Sequence, residues 1–116
     1  MRLDTARRFA LSLPETTEEP HFEKSSFRVR GKIFATIPEG GKHLHLFVDP
    51  DERLALIEEN PGAFEEIWWG KKPAADWVRV VLAAADRDQV CELLEDGWRR
   101  KAPKRVLATF DAGREG

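Results

Sequence analysis

Apolar residues recur at helical spacing near the start of the chain, at Leu3, Ala6, Phe9, Ala10 and Leu13, between a capping Asp4 and a terminating Pro14. The spacing predicts a first helix. From Lys24 the period changes to two: Phe27 and Val29 alternate with Ser26, Arg28 and Arg30, and Gly31-Lys32 turns the chain into Ile33-Phe34-Ala35-Thr36-Ile37. Pro38-Glu39-Gly40-Gly41-Lys42 supplies a second turn, and His43-Leu44-His45-Leu46-Phe47-Val48 alternates again. These segments predict an antiparallel meander of three strands.

Asp49-Pro50-Asp51-Glu52 combines a capping oxygen, an early proline and first-turn acids, and so opens a short second helix through Leu54 and Ile57 that ends at Asn60-Pro61-Gly62. Phe64 to Trp69 and Trp77 to Leu82 are aromatic or β-branched enough for two more strands, joined through residues 70–76. Asp86 or Asp88 caps a last long helix with Val90, Leu93, Leu94 and Trp98 on its apolar side. Pro103 breaks or restarts it, and Val106, Leu107 and Phe110 add another turn or two. The order α-βββ-α-ββ-α predicts a two-layer α+β sandwich, an antiparallel five-stranded sheet with helices on one face. Residues 1–110 read as a single domain, with Asp111 to Gly116 as a loose tail.

Composition narrows the class. A chain of 116 residues, 41% apolar and 34% charged, can bury roughly two-thirds of its unfolded surface in one soluble domain. The single Cys91 excludes an intramolecular disulfide and a cysteine-cluster metal site, and suits a reducing cytoplasm. The first residues lack the apolar run of a signal peptide and no later segment has the length of a membrane span, so a cytoplasmic protein without membrane contact is expected. Net charge is −2, which counts against nucleic-acid binding, since binding domains usually carry a basic surplus. Residues 1–66 carry −4 and residues 67–116 carry +2, so any anion site is local.

All four tryptophans fall in the second half, in Trp68-Trp69-Gly70-Lys71-Lys72, Trp77-Val78-Arg79-Val80 and the segment from Trp98 to Arg105 with its Ala102-Pro103-Lys104-Arg105. Earlier come Leu13-Pro14 with a short acidic stretch, Phe27-Arg28-Val29 and Gly31-Lys32-Ile33-Phe34-Ala35. In this order, from Leu13 to Arg105, the chain resembles the MmcQ/YjbR family of small bacterial proteins. The resemblance implies a small α+β fold related in shape to the double-wing DNA-binding domain of a phage transcription factor, and hence a DNA-binding label that rests on fold. It also implies a sheet in which the fifth and fourth strands lie on the far side of the first from the second.

Strand parity sends Lys24, Ser26, Arg28 and Arg30 to the face opposite Phe27 and Val29, and Trp77 and Arg79 to the face opposite Val78 and Val80. Under the implied sheet order Arg28, Arg30, Trp77 and Arg79 meet on an open face, as a platform for phosphate and base. The competing arrangement pairs these arginines with Glu23, Glu65 or Glu66 across strands and leaves a merely soluble face. Arg99, Arg100, Lys101, Lys104 and Arg105 put five bases in seven residues, more than a helix C-terminus needs to complement its dipole, and Lys71 and Lys72 add phosphate contacts at a hairpin tip. A non-enzymatic domain that binds DNA or RNA weakly, through the backbone, is expected, with no recognition helix to read sequence.

The alternative is a protein-interaction module, anchored on a partner protein or a second copy by Trp68, Trp69 or Trp77. Alternation places one of Trp68 and Trp69 inward and the other outward. No Gly-rich phosphate loop, no G-x-S-x-G elbow and no paired catalytic carboxylates occur, which argues against an enzyme. His43 and His45 share a strand face near His21, but no third ligand is fixed, so neither metal nor cofactor is expected.

Overall fold

The computed structural model describes residues 1–22 and 24–115, so Glu23, one of the expected cross-strand partners, and Gly116 lie outside the described residues. Helix α1 (Leu3–Ser12) is followed by strands β1 (Thr16–His21), β2 (Lys24–Val29), β3 (Lys32–Ile37) and β4 (His43–Phe47). Helix α2 (Pro50–Glu59), strands β5 (Phe64–Trp69) and β6 (Lys72–Val81), a 3-10 turn at Leu82–Ala84, and helices α3 (Arg87–Lys101) and α4 (Lys104–Glu115) complete the chain. The strands form one antiparallel sheet in the order β1-β2-β3-β4-β6-β5. The α+β class holds, but the sheet has six strands where five were expected.

The extra strand is β1, which pairs with β2 from Thr16↔Val29 to His21↔Lys24. Its sequence, Thr-Thr-Glu-Glu-Pro-His, has no apolar alternation because it is an edge strand held by polar contacts. Glu18 accepts from Arg7 Nε of α1 at 2.9 Å and from the Ser25 hydroxyl at 2.6 Å. An edge position also tolerates Pro20.

With β1 on the outer edge of β2, the implied sheet order fails. β6 pairs instead with β4, from His43↔Val81 to Phe47↔Trp77, so the third and fifth expected strands are neighbours. β6 also starts earlier than Trp77: Gly70 and Lys71 form a two-residue turn, with Gly70 at φ 67° in its first central position. Pro73 lies where β6 has only β5 beside it, so its missing N–H interrupts no ladder toward β4.

The helices cover one face. Ala6 and Ala10 of α1 and Val90, Leu94 and Trp98 of α3 pack on Phe27, Val29, Phe34, Leu44, Leu46, Val78 and Val80, all buried. Burying side chains of this size contributes roughly 1.5–3 kcal/mol each. Trp98 is sealed in the core, and its indole N–H donates to the Pro14 carbonyl at 3.0 Å. Gly97 brings α3 down onto the sheet, because a Cβ there would lie 2.9 Å from the Phe47 carbonyl oxygen. Asp111, expected in a loose tail, is inside α4. Two contacts hold it there: Phe110 sets its ring edge-on to Trp98 at 5.0 Å, and Arg99 grips the Asp111 carboxylate.

Candidate functional site

The opposite face of the sheet is free of helices and curls into a cleft of about 280 Å³ to which every strand contributes. His21 comes from β1, Lys24 from β2, Ile33 and Thr36 from β3, His45 from β4, Trp77 from β6, and Ile67 and Trp69 from β5. Register shifts at Phe27/Arg28 and Glu66/Trp68 mark bulges, which sharpen twist and draw the outer strands toward each other. The curl explains why Ser26, Thr36 and His45 are buried on a face that no helix covers. It also buries Ile67 outside the main apolar core.

His45 and Arg79 are register partners on β4 and β6, and Arg79 Nε donates to His45 Nε2 at 3.2 Å. Accepting at Nε2 requires the neutral imidazole with its proton on Nδ1. Burial, followed by the positive charges of Arg79, Lys24 and His43, pushes the ring's pKa down to about 4. Near neutrality the floor of the cleft therefore presents an uncharged N–H donor beside the Thr36 hydroxyl. Trp77 lines the cleft with its ring edge-on to Phe47 at 5.7 Å.

The structure distributes the expected site residues unevenly. Arg28 does lie on the open face, where its Nε donates to Ser26 Oγ at 3.0 Å and its Nη2 to the Pro20 carbonyl at 3.2 Å. Strands β3 and β4 separate it from Trp77 and Arg79, so the expected four-residue cluster does not assemble. Arg30 leaves the face altogether: it takes φ 52° next to Gly31 at φ 84° in the β2–β3 turn, and its Nη1 lies 2.7 Å from Glu15. Two successive left-handed residues end the strand alternation that put Arg30 with Arg28.

Lys71 and Lys72 are exposed at the β5–β6 tip. There Trp68 and Trp69 are 60% and 62% exposed, so the expected inward tryptophan is absent; the hairpin tip runs past the end of β4, where β6 has only β5 beside it. The basic run from Arg99 is largely engaged by neighbouring side chains. Arg99 makes a fork onto Asp111 at 2.7 and 3.3 Å and reaches Glu95 at 3.1 Å, contacts that raise its already high pKa and hold Asp111 below the usual carboxylate value. Arg100 lies 3.7 Å from Asp49, and Lys101 Nζ sits 4.1 Å from the Phe47 ring centre. Lys104 and Arg105 remain exposed at the start of α4.

A larger depression, about 530 Å³, lies between α4 and the α1–β1 connection and is lined by Pro14, Val106 and Phe110 together with Glu15, Arg105 and Arg114. It lacks convergent buried polar groups, and the smaller sheet cleft has them, which makes the cleft the better site. Among the described residues no three His, Cys, Asp or Glu side chains come together as a metal site, and no helix is long and apolar enough to cross a membrane.

The sequence reading missed the cleft as a unit. His45, Trp77 and Arg79 were on its alternation, but Ile33, Thr36, Ile67 and Trp69 join them only through the β4–β6 pairing and the two bulges.

No curated protein matches the chain. Its fold is similar to the crystal structure of the Deinococcus radiodurans protein DR2400, which is described with a DUF419 domain; the TM-score is 0.71 at 24% identity, over 84% of this chain and 75% of that one. The YjbR family model matches residues 11–100, from the end of α1 through most of α3 and thus across the whole sheet and its cleft, and the chain belongs to the YjbR family.

Proposed function

We propose that this chain is a non-enzymatic nucleic-acid-binding domain that takes polynucleotide along the curled open face of its sheet. The observation that supports this most is the joining of two indoles, Trp69 and Trp77, with Lys24 and Arg79 in and beside one cleft. Rings of this kind stack on bases at roughly 1–3 kcal/mol per base, and cations along the rim neutralise phosphates. Lys71 and Lys72 extend the cationic track at one hairpin, and Arg28, with no carboxylate partner among the described residues, extends it toward β1. Few phosphates are contacted by so short a track, so binding is weak and steeply salt-dependent.

Fluorescence anisotropy of labelled single-stranded and duplex DNA and RNA, titrated at low salt and repeated across a salt series, tests the proposal. Saturable binding that fades with salt and is weakened by Arg28→Glu is expected. Absence of binding at the lowest salt overturns it. A second reading, docking of a protein partner, is favoured by Trp68, which is 60% exposed and takes no part in the cleft. A Trp68-anchored contact would persist at high salt.

A further inference from the structure

The cleft has the build of a site for one flat ring. Its volume of about 280 Å³ falls just under the ~300–1,000 Å³ of drug-sized pockets, enough for one base and too little for a stacked run. Its walls are Ile33, Ile67, Trp69 and Trp77, which favour the faces of a planar heterocycle. Its floor is polar in a defined sense. Arg79 occupies His45 Nε2, which leaves the Nδ1–H as a donor. Among the described residues neither this N–H nor the Thr36 hydroxyl has a side-chain partner. No side-chain polar atom sealed from solvent lacks a partner, so neither group is a sealed orphan, and both residues line the cleft.

We infer that the cleft receives a single unstacked nucleobase, whose acceptor edge is read by the His45 Nδ1–H and the Thr36 hydroxyl and whose attached phosphate is held at the rim by Lys24. The inference rests on the proposed nucleic-acid reading and sharpens it, because a base inside a duplex shows no free face to Trp69 or Trp77 and no free edge to the floor. The same chemistry, a base bearing a phosphate, comes either from a single strand or from a free nucleotide.

The test compares three probes, a short oligo-dT single strand, a duplex of the same length and thymidine monophosphate, against the wild-type chain and Thr36→Val. Anisotropy follows the oligonucleotides, and the indole N–H resonances of Trp69 and Trp77 follow the mononucleotide. Thr36→Val keeps shape and removes the hydroxyl, and an unchanged thermal melt confirms that it folds. Expected are tighter binding of the single strand than of the duplex, and a roughly three- to tenfold loss for the single strand but not for the duplex in Thr36→Val, the worth of one hydrogen bond. Equal affinity for single strand and duplex with a silent Thr36→Val overturns the inference and leaves the broader reading standing. Binding of the mononucleotide alone, sensitive to Thr36→Val, upholds the base site and overturns the polynucleotide reading. No binding by any probe overturns both.

Discussion

Arg79 and His45 face each other across the β4–β6 pair, with the guanidinium Nε 3.2 Å from the imidazole Nε2. The geometry is that of a charged donor on a neutral ring. Protonating Nε2 would remove the acceptor and set a second cation against Arg79, with Lys24 and His43 close enough to add to the repulsion. The contact thus ties the protonation state of the cleft floor to the pairing of β4 with β6.

Acid should therefore weaken the fold through His45. Its folded pKa of about 4 lies below the unfolded 6.5, so between these values the unfolded chain binds a proton that the folded chain refuses. The resulting stability is complete above about pH 6.5 and declines as pH falls to about 4, by on the order of 3 kcal/mol. His45→Gln keeps an acceptor for Arg79 without the titration. Urea midpoints at pH 7 and 4.5 should converge in this variant, and an acid loss equal to that of the wild type would rule His45 out as the cause.

Gly97 and Gly113 give opposite answers to the same substitution. Both are in helices, where alanine gains about 1 kcal/mol over glycine. Nothing lies within 4 Å of a Cβ at Gly113, so Gly113→Ala should raise the melting temperature slightly. At Gly97 the new methyl meets the Phe47 carbonyl at 2.9 Å, and moving α3 off the sheet costs about 1–3 kcal/mol. Gly97→Ala should be destabilising in the same urea series. A stabilised Gly97→Ala would mean that α3 sits farther from β4 than described.

The contrast between those glycines could not be seen from the chain alone, and it marks where sequence reading stops. Helix α1, β2 to β5 and α3 were legible because each carries its own period and its own stop signal, as with Phe27 and Val29 or Val90, Leu94 and Trp98. Strand β1 was not, since an edge strand fixed by Arg7, Glu18 and Ser25 needs no apolar alternation. The neighbour of β6 was not, since its choice of β4 is a long-range pairing that no local pattern encodes. Strand parity marked Trp77 and Arg79 as open-face residues, but the burial of His45 and Thr36 beside them follows only from the curl.

Arg99 should act as the clasp of α4. Its fork onto Asp111 spans the Pro103 break between α3 and α4, and Phe110 lies beneath both Arg99 and Arg114. Asp111→Asn removes the charge and one acceptor while leaving the Phe110–Trp98 contact in place. Amide hydrogen exchange should quicken from residue 104 onward with little change in the sheet. Uniform quickening across the whole chain would show instead that α4 unfolds only with the rest.

The last prediction separates the two basic regions. In the proposed mode Lys71 and Lys72 approach the phosphates, whereas Lys104 and Arg105 are equally exposed but belong to the helical layer behind the sheet. Both pairs remove two positive charges when changed to alanine, so net charge is matched and only position differs. Each lost phosphate contact lowers the slope of log affinity against log salt by about 0.7 for a single strand. Lys71→Ala with Lys72→Ala should flatten the slope by roughly 1.4, and Lys104→Ala with Arg105→Ala should leave it unchanged. The reverse result would move the nucleic acid to α4, where Lys104 and Arg105 are the cations of the Arg99-to-Arg105 segment without an acidic or aromatic partner among the described residues, and would leave the cleft without a polynucleotide to serve.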